Sequence, residues 1–137
     1  MILPELSFDI VGCAFDVYNE IGPGHLEKIY QKAFAIALKN KNISFMEQFY
    51  APLFYKGQVI GKHFIDFLIE DKIIVEIKKG NYYSKSNIDQ VNQYLISCDL
   101  QLALLINFGN EKVHTKRVVN ITKKLNKKLI VVDFKVI

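Results

Sequence analysis

Residues 65–78 read IDFLIEDKIIVEIK, and this stretch decides the fold prediction. It contains two strongly apolar runs separated by the polar residues 70–72, a pattern typical of two linked strands. Three charged side chains, Asp66, Glu76 and Lys78, interrupt the apolar runs. Because side chains alternate along a strand, Glu76 and Lys78 share one face and the apolar residues beside them point to the other. The stretch therefore predicts a strand pair that carries a charged site.

The length of the turn decides whether the two carboxylates meet. A three-residue turn through residues 70–72 places Asp66 opposite Glu76, with Cβ atoms roughly 5 Å apart. A two-residue turn would instead pair Asp66 with Val75 and place the carboxylates on opposite faces. A shared site therefore requires a turn with an odd number of residues.

Two carboxylates close together on a partly buried face favour a bound cation. They repel each other and are costly to desolvate, and a hard divalent cation such as Mg²⁺ or Mn²⁺ removes that conflict by accepting oxygen ligands. Lys78 beside the metal can hold a water and stabilise charge on a scissile phosphate, as metal-assisted phosphodiester hydrolysis requires. The alternative is a strand-edge ion pair of Glu76 and Lys78 with Asp66 at its rim, and spacing alone does not choose between the two.

The remaining pattern predicts an α/β sandwich with a mixed sheet flanked by helices, in one domain spanning residues 1–137. Helical periodicity stops at Gly22, Pro23 and Gly24, and later segments have the period of strands. The predicted elements are helices at residues 4–21 and 25–40, strands at 44–54, 63–69 and 73–79, a helix at 84–97, strands at 102–108 and 113–119, a helix at 120–127 and a strand at 129–137.

Composition and charge restrict location and partners. The sequence shows no signal-peptide pattern and no apolar stretch of about 20 residues, so we expect a cytoplasmic protein without a membrane partner. Cys13 and Cys98 lack metal-ligand spacing and indicate core residues in a reducing compartment. From Glu111 onward, eight basic residues against two acids give +6 within a net charge of +4. That end either attracts phosphates or is a solvated helix face. Because Arg117 is the only arginine, sequence-specific readout is not expected.

Several motifs in a fixed order carry a family resemblance. Residues 24–30, GHLEKIY, contain a full GxxExxY motif directly after the first predicted helix. With FYKG at 54–57, Asp66, EIK at 76–78, Gln90, YL at 94–95 and LLINFG at 104–109, the chain resembles a GxxExxY family protein of the PD-(D/E)XK nuclease superfamily. The resemblance covers roughly residues 8–120, and the ordered set is more specific than any single motif.

The resemblance implies a restriction-endonuclease-like core and a role for each matched residue. Asp66 and Glu76 match the metal ligands, the carbonyl of Ile77 is a further ligand, and Lys78 matches the catalytic lysine. Glu27 matches a helix-borne acid that completes the metal site. The last matches are Gln90 and Tyr94, which correspond to a glutamine and a tyrosine that flank the site. Without the resemblance, Glu27 is simply exposed, and Gln90 and Tyr94 are a surface pair on one helix face.

Aromatic residues after the charged strand are candidates for nucleic-acid binding. Tyr82, Tyr83 and Lys85 follow it directly and are placed to stack on or steer a nucleic-acid strand. The alternative is that these loop aromatics cap a core.

Three functional hypotheses follow. The leading one is a Mg²⁺-dependent nuclease that acts on DNA with little sequence preference. The second is a non-catalytic nucleic-acid-binding or regulatory module that keeps the fold. The third is a homodimeric interaction protein, which requires one exposed apolar surface formed by Phe45, Phe49, Tyr50 and Phe54.

Overall fold

Three helices and six strands make up the part of the chain that the computed structural model describes, residues 2–120 and the backbone of 131–135. In chain order they are α1 (Pro4–Ile21), α2 (Glu27–Asn40), β1 (Phe45–Tyr55), β2 (Gln58–Ile69), β3 (Ile73–Lys79), α3 (Lys85–Cys98), β4 (Leu102–Phe108), β5 (Val113–Asn120) and β6 (Val131–Lys135). The strands form one sheet in the order β1-β2-β3-β4-β5-β6. Of its neighbouring pairs, β3 and β4 run parallel and the others antiparallel. This confirms the predicted α/β class with a mixed sheet.

Most predicted boundaries are within two residues of the observed ones, and the main difference is in β2. This strand begins at Gln58, five residues before the predicted start, and runs unbroken to Ile69. The turn before it needs only Lys56 and Gly57, whose φ values of 48° and 79° are those of a tight two-residue hairpin. The helix predicted at 120–127 lies outside the described residues, except that Asn120 ends β5.

The sheet separates two apolar layers. The first core packs α1 and α2 on one face and includes Ile10, Phe34 and Val75. The second core packs α3 on the other face and includes Ile74 and Leu95. Strand β4 lies between them and is buried along its whole length. Because Val75 faces the first core and residues alternate along β3, Glu76 and Lys78 face the layer of α3.

Strands β1 and β2 continue beyond the rest of the sheet. Pairing of β2 with β3 covers only the three positions from Phe67 to Ile69, whereas β2 pairs with β1 as far as the turn at Tyr55 and Gln58. We call residues 49–65 the hairpin arm. Its base is kinked at Gln48, which has a φ of 48° and is missing from the β1–β2 register opposite Asp66. The register is the same on both sides of this kink, yet the faces change there, since Phe67 belongs to the first core and Ile65 to the second.

Arg117 is buried on β5 and has a structural role. Its guanidinium donates hydrogen bonds to the Ser7 hydroxyl, at 2.8 Å, and to the Ile2 carbonyl. Burial lowers the pKa of this guanidinium. The arginine therefore ties the start of α1 to the sheet.

The cysteines have the places expected of core residues. Cys13 is buried in the first core, Cys98 packs against the second, and both thiols are free. Burial raises the pKa of the Cys13 thiol to about 11, so this thiol stays protonated at neutral pH. Over the described ranges, none of the helices combines the length and the apolar character needed to cross a membrane.

Candidate metal centre

The turn between β2 and β3 has the odd length that a shared carboxylate site requires. Ile69 pairs with Ile73, so residues 70–72 form a three-residue turn. It is closed by a 2.9 Å hydrogen bond from the Lys72 amide to the Ile69 carbonyl. Glu70 and Asp71 have φ values of 53° and 57° there, a left-handed conformation that Asp adopts more readily than most residues. Continuing this register places Asp66 opposite Glu76, as predicted.

Asp66 and Glu76 lie where the backbone pairing of β2 and β3 ends, a place we call the fork. The last backbone pair joins Phe67 and Val75. At the next position the Asp66 amide donates to Glu76 Oε2 at 2.9 Å, and the Ile77 amide donates to Asp66 Oδ2 at 2.9 Å. Each carboxyl group thus replaces a backbone acceptor of the opposite strand, and the two acids are held face to face.

Burial makes this pair electrostatically strained. Glu76 is only 3% exposed. Desolvation raises its pKa to about 9, helped by the side-chain hydrogen bond with Asp66 and by the charge of that carboxylate. The hydrogen bond from the Asp66 amide and the charge of Lys78 offset this effect only in part. In the metal-free protein Glu76 therefore carries a proton at neutral pH. A divalent cation would favour the charged form and displace that proton.

The donor set at the fork fits a hard cation that keeps part of its water shell. The backbone hydrogen bonds engage Oδ2 of Asp66 and Oε2 of Glu76. Side-chain hydrogen bonds also join Glu76 to Asp66 and to Tyr94, so a cation would take the place of the proton between the two carboxyl groups. Within the described ranges, no group of three His, Cys, Asp or Glu side chains could hold a metal. Mg²⁺ is commonly bound by one or two carboxylates together with water. Ligation by the Ile77 carbonyl stays a prediction.

Glu27 approaches the same end of β3 from α2. Its Oε2 accepts a hydrogen bond from the Lys79 amide at 3.2 Å, one residue after Lys78. This contact fixes the first turn of α2 against the end of β3. Glu27 is half-buried and is not grouped with Asp66 and Glu76, so its role as a metal ligand stays a prediction.

The other residues of the GxxExxY motif anchor α2 to the sheet. Gly24 has a φ of +93°, which favours glycine. Tyr30 is fully buried, its hydroxyl donates to the Gly22 carbonyl at 2.7 Å, and its ring stacks on Phe108 with centroids 4.2 Å apart. The motif therefore joins the α1–α2 turn to the end of β4 through Tyr30 and to the end of β3 through Glu27.

Tyr94 lies beside the carboxylate pair. It is 3% exposed, and burial together with the nearby Glu76 carboxyl group raises its pKa. Its ring centroid is 5.3 Å from that of His63 in the hairpin arm. Tyr94 is therefore not a surface residue, whereas Gln90, one turn earlier on α3, is half-buried. Catalytic roles for both stay predictions.

Asn107 is a buried polar residue next to the site that we did not single out from the sequence. It pairs with Lys78 in the parallel β3–β4 register and is fully buried. Its Nδ2 donates to the carbonyls of Tyr82 and Gly80 at 3.1 and 3.4 Å, and no described residue bonds its Oδ1. Asn107 thus fixes the loop that leaves β3 after Lys78. The available signal was an amide inside the otherwise apolar run of residues 102–108.

The residues predicted to contact nucleic acid have different environments. Tyr82 is 87% exposed, and Lys85 is exposed in the first turn of α3. Tyr83 caps the second core, where its hydroxyl donates to the Leu105 carbonyl at 3.1 Å, and the Lys116 Nζ lies 5.4 Å from its ring centroid. Contact with nucleic acid stays a prediction for all three residues.

The four aromatics of the homodimer hypothesis do not form one exposed surface. Phe45 packs against the first core and Phe49 against the second. Tyr50 and Phe54 are 46% and 55% exposed. The lysine-rich segment of the basic end, residues 123–128, lies outside the described residues.

One comparison with known proteins identifies a family. A model described as the PD-(D/E)XK nuclease superfamily matches residues 4–118, which include the fork, Glu27 and Tyr94. No curated protein and no solved structure matches the chain.

Proposed function

Since the chain belongs to the PD-(D/E)XK nuclease superfamily, we propose that it is a metal-dependent nuclease that hydrolyses phosphodiester bonds of DNA. The observation that carries the proposal is the pair of crossed hydrogen bonds at the fork, one from the Asp66 amide to Glu76 and one from the Ile77 amide to Asp66. Lys78 lies on the same face of β3 as Glu76. The order of its motifs also leads us to propose membership of the GxxExxY family. We further propose a cytoplasmic location, since both cysteines are free thiols.

Asp66 and Glu76 would hold the cation, Mg²⁺ or Mn²⁺, with Ile77 and Glu27 as further ligands. The bound cation supplies positive charge at the scissile phosphate. Asp66 is oriented by the Ile77 amide and Glu76 by the Asp66 amide, so neither carboxylate has to reorganise when a cation binds. Glu76 gives up its proton on binding, because its pKa of about 9 applies to the metal-free protein.

Lys78 would stabilise charge on the phosphate and orient the attacking water. Lys78 is half-buried and two residues from Glu76, so its side chain leaves β3 on the same face as that of Glu76. Tyr94 and Gln90 would flank the site from α3. Tyr94 keeps its proton at neutral pH, because burial and Glu76 raise its pKa, and its hydroxyl is therefore a hydrogen-bond donor.

The same residues support cleavage with little sequence preference. The only arginine, Arg117, is buried and engaged with α1, so no guanidinium of this chain is free to read guanine in a groove. Lysine binds phosphate as a point charge and carries no base information in that contact.

The test is cleavage of single- and double-stranded DNA and RNA with Mg²⁺, Mn²⁺ or EDTA. We expect metal-dependent cleavage of DNA that Lys78→Ala and Asp66→Asn both abolish. Lys79→Ala is the matched control, since Lys79 is the next residue along β3, is exposed, and points to the other face.

Two results would contradict the proposal. Equal cleavage by wild type, Lys78→Ala and Asp66→Asn would identify a contaminant. Metal binding through Asp66 and Glu76 without cleavage of any substrate would favour the non-catalytic nucleic-acid-binding or regulatory module.

A further inference from the structure

We propose that the hairpin arm, residues 49–65, binds single-stranded DNA and leads it to the fork. This inference rests on the proposed function, because it assigns a substrate surface to the same site. The binding experiment below is performed without cleavage, so that failure of the arm and failure of the nuclease can be distinguished.

The arm has one face that no described element covers. Its strands pair only with each other among the described strands, and its other face carries Ala51 and Ile65 into the second core under α3. By alternation, Tyr50 and Phe64 point away from α3, where they are 46% and 49% exposed. Their rings form a cross-strand pair with centroids 5.9 Å apart.

The uncovered face continues along β2 towards the tip. Lys62 follows Phe64 at an interval of two residues and therefore points to the same side. Ile60, which is 64% exposed, lies at the register shift of the β1–β2 pair near the tip. In the direction of the fork, only Ile65 separates Phe64 from Asp66. The Cα atoms of Phe64 and Asp66 are therefore about 7 Å apart along the strand.

Charge favours a polyanionic partner. Residues 49–65 contain five aromatic residues, two lysines and no Asp or Glu. The lysine ammoniums stay with the rings: Lys62 Nζ is 6.0 Å from the Phe64 centroid, and Lys56 Nζ is 5.5 Å from that of Tyr55. Aromatic rings with adjacent cations are the elements that bind single strands, because bases stack on the rings while lysines contact the phosphates.

A second copy of the chain fits this face less well. An isologous contact would bring Lys62 of one copy near the same face of the other, and the arm offers no carboxylate to offset the repulsion. Pairing of two β1 edges is also disfavoured, since Pro52 lacks an amide donor and Gln48 kinks the strand.

The partner is single-stranded because a ring can stack only on a base that is not already stacked in a duplex. Cleavage at the fork also needs a backbone phosphate that reaches Asp66 and Glu76. Glu76 faces the layer of α3, whereas the Tyr50 and Phe64 rings point away from that layer. An extended strand bound along the arm would therefore cross to the carboxyl groups at the fork, where the pairing of β2 and β3 ends.

Binding is measured by fluorescence anisotropy with labelled single-stranded DNA of mixed sequence, in EDTA and in the Lys78→Ala background. We expect Tyr50→Ala and Phe64→Ala each to weaken binding about 5- to 100-fold, the range that follows from loss of one stacked base. Lys62→Gln should lower the slope of log affinity against log salt by about 0.7, as expected for one released phosphate contact on a single strand.

Phe8→Ala is the matched control, because Phe8 is a 72% exposed aromatic on α1, far from the arm in sequence. It should leave DNA affinity unchanged. Since Tyr50, Phe64 and Phe8 belong to neither core, circular dichroism and thermal unfolding should show that all three variants keep the fold.

Several results would overturn the proposal. One is unchanged affinity for single-stranded DNA in Tyr50→Ala and Phe64→Ala. Another is duplex DNA binding that is as tight as single-strand binding and is weakened equally by these substitutions. A third is tighter binding of single-stranded RNA than of single-stranded DNA. If light scattering shows a wild-type dimer that Phe64→Ala dissociates without loss of DNA binding, the face is a self-association surface. Binding through the arm without cleavage by wild type would sustain this inference while rejecting the nuclease.

Discussion

Asp66 and Glu76 each complete the hydrogen bonding of the strand that carries the other. The Asp66 amide donates to Glu76, and the amide next to Glu76 donates to Asp66, both at 2.9 Å. The residues that would hold the metal are therefore also the residues that join β2 to β3 where backbone pairing ends. Changes to either acid should affect stability as well as activity.

The first prediction concerns the pH dependence of metal-free stability. The Glu76 pKa is about 9 in the folded protein, against an ordinary value of 4.5. Its contribution to stability is therefore complete below about pH 4.5 and is lost as pH rises towards about 9, because the unfolded chain releases the proton earlier. Glu76→Gln stays neutral and should remove this loss, which grows by about 1.4 kcal/mol per pH unit between the two pKa values and so reaches several kcal/mol near pH 8.

Urea unfolding in EDTA between about pH 5 and pH 9 measures this difference. The wild-type curve should fall relative to that of Glu76→Gln as pH increases. Parallel curves would mean that Glu76 is already ionised in the metal-free protein.

The second prediction concerns cation binding. Mg²⁺ or Mn²⁺ at about 100 times its dissociation constant should stabilise the wild type by about 2.7 kcal/mol, if it binds only the folded state. Asp66→Asn should abolish this gain, since it removes one charged ligand. Asp71→Asn, in the exposed turn, is the control and should keep it. Thermal unfolding with and without the cation is the measurement, and an equal gain in Asp66→Asn would place the cation elsewhere.

The third prediction concerns Tyr30. Tyr30→Phe keeps the stack on Phe108 but leaves the Gly22 carbonyl without its 2.7 Å hydrogen bond. Because this contact is buried, we expect a loss of about 1–2 kcal/mol in the free energy of unfolding. Tyr82→Phe removes a hydroxyl from a side chain that is 87% exposed and should change stability little. Equal effects in chemical denaturation would show that Tyr30 does not anchor the α1–α2 turn.

The fourth prediction concerns the contact between Ser44, just before β1, and Glu70, just after β2. The Glu70 Oε2 accepts from the Ser44 amide at 2.7 Å and from its hydroxyl at 2.6 Å, and these hydrogen bonds lower the Glu70 pKa. A carboxyl group with a lowered pKa in the folded state stabilises the protein at pH values above its ordinary pKa. This stabilisation is lost as the pH falls through the pKa of the folded state. Glu70→Gln should therefore be less stable than wild type at neutral pH, by under about 1 kcal/mol because the site faces solvent. The difference should shrink in acid denaturation below about pH 4.

Much of the fold was predictable because its signals are local. Helix α1 and strands β3 and β4 match their predicted bounds, since periodicity and apolar runs specify them directly. The sequence predicted that Asp66 and Glu76 face each other only if the turn between β2 and β3 has an odd number of residues. The three-residue turn depends on left-handed backbone at Glu70 and Asp71, a conformation for which the sequence carries no glycine signal.

The environments of single side chains were less predictable, because they depend on which layers meet. Burial of Arg117 follows from Ser7 and Ile2, which lie more than 100 residues earlier in the chain. Tyr82 and Tyr83 look equivalent in sequence, yet one is exposed and the other caps the second core. The kink at Gln48, which sets the faces of the arm, has no proline or glycine to announce it.

The crossed hydrogen bonds also bear on the order in which the centre assembles during folding. Asp66 and Glu76 are ten residues apart in the chain, whereas the contact of Glu27 with Lys79 spans 52 residues. Closing the shorter loop costs less chain entropy, and local contacts form faster than distant ones. The acid pair should thus be complete once a single hairpin has closed, and Glu27 should join it only when α2 docks on the sheet.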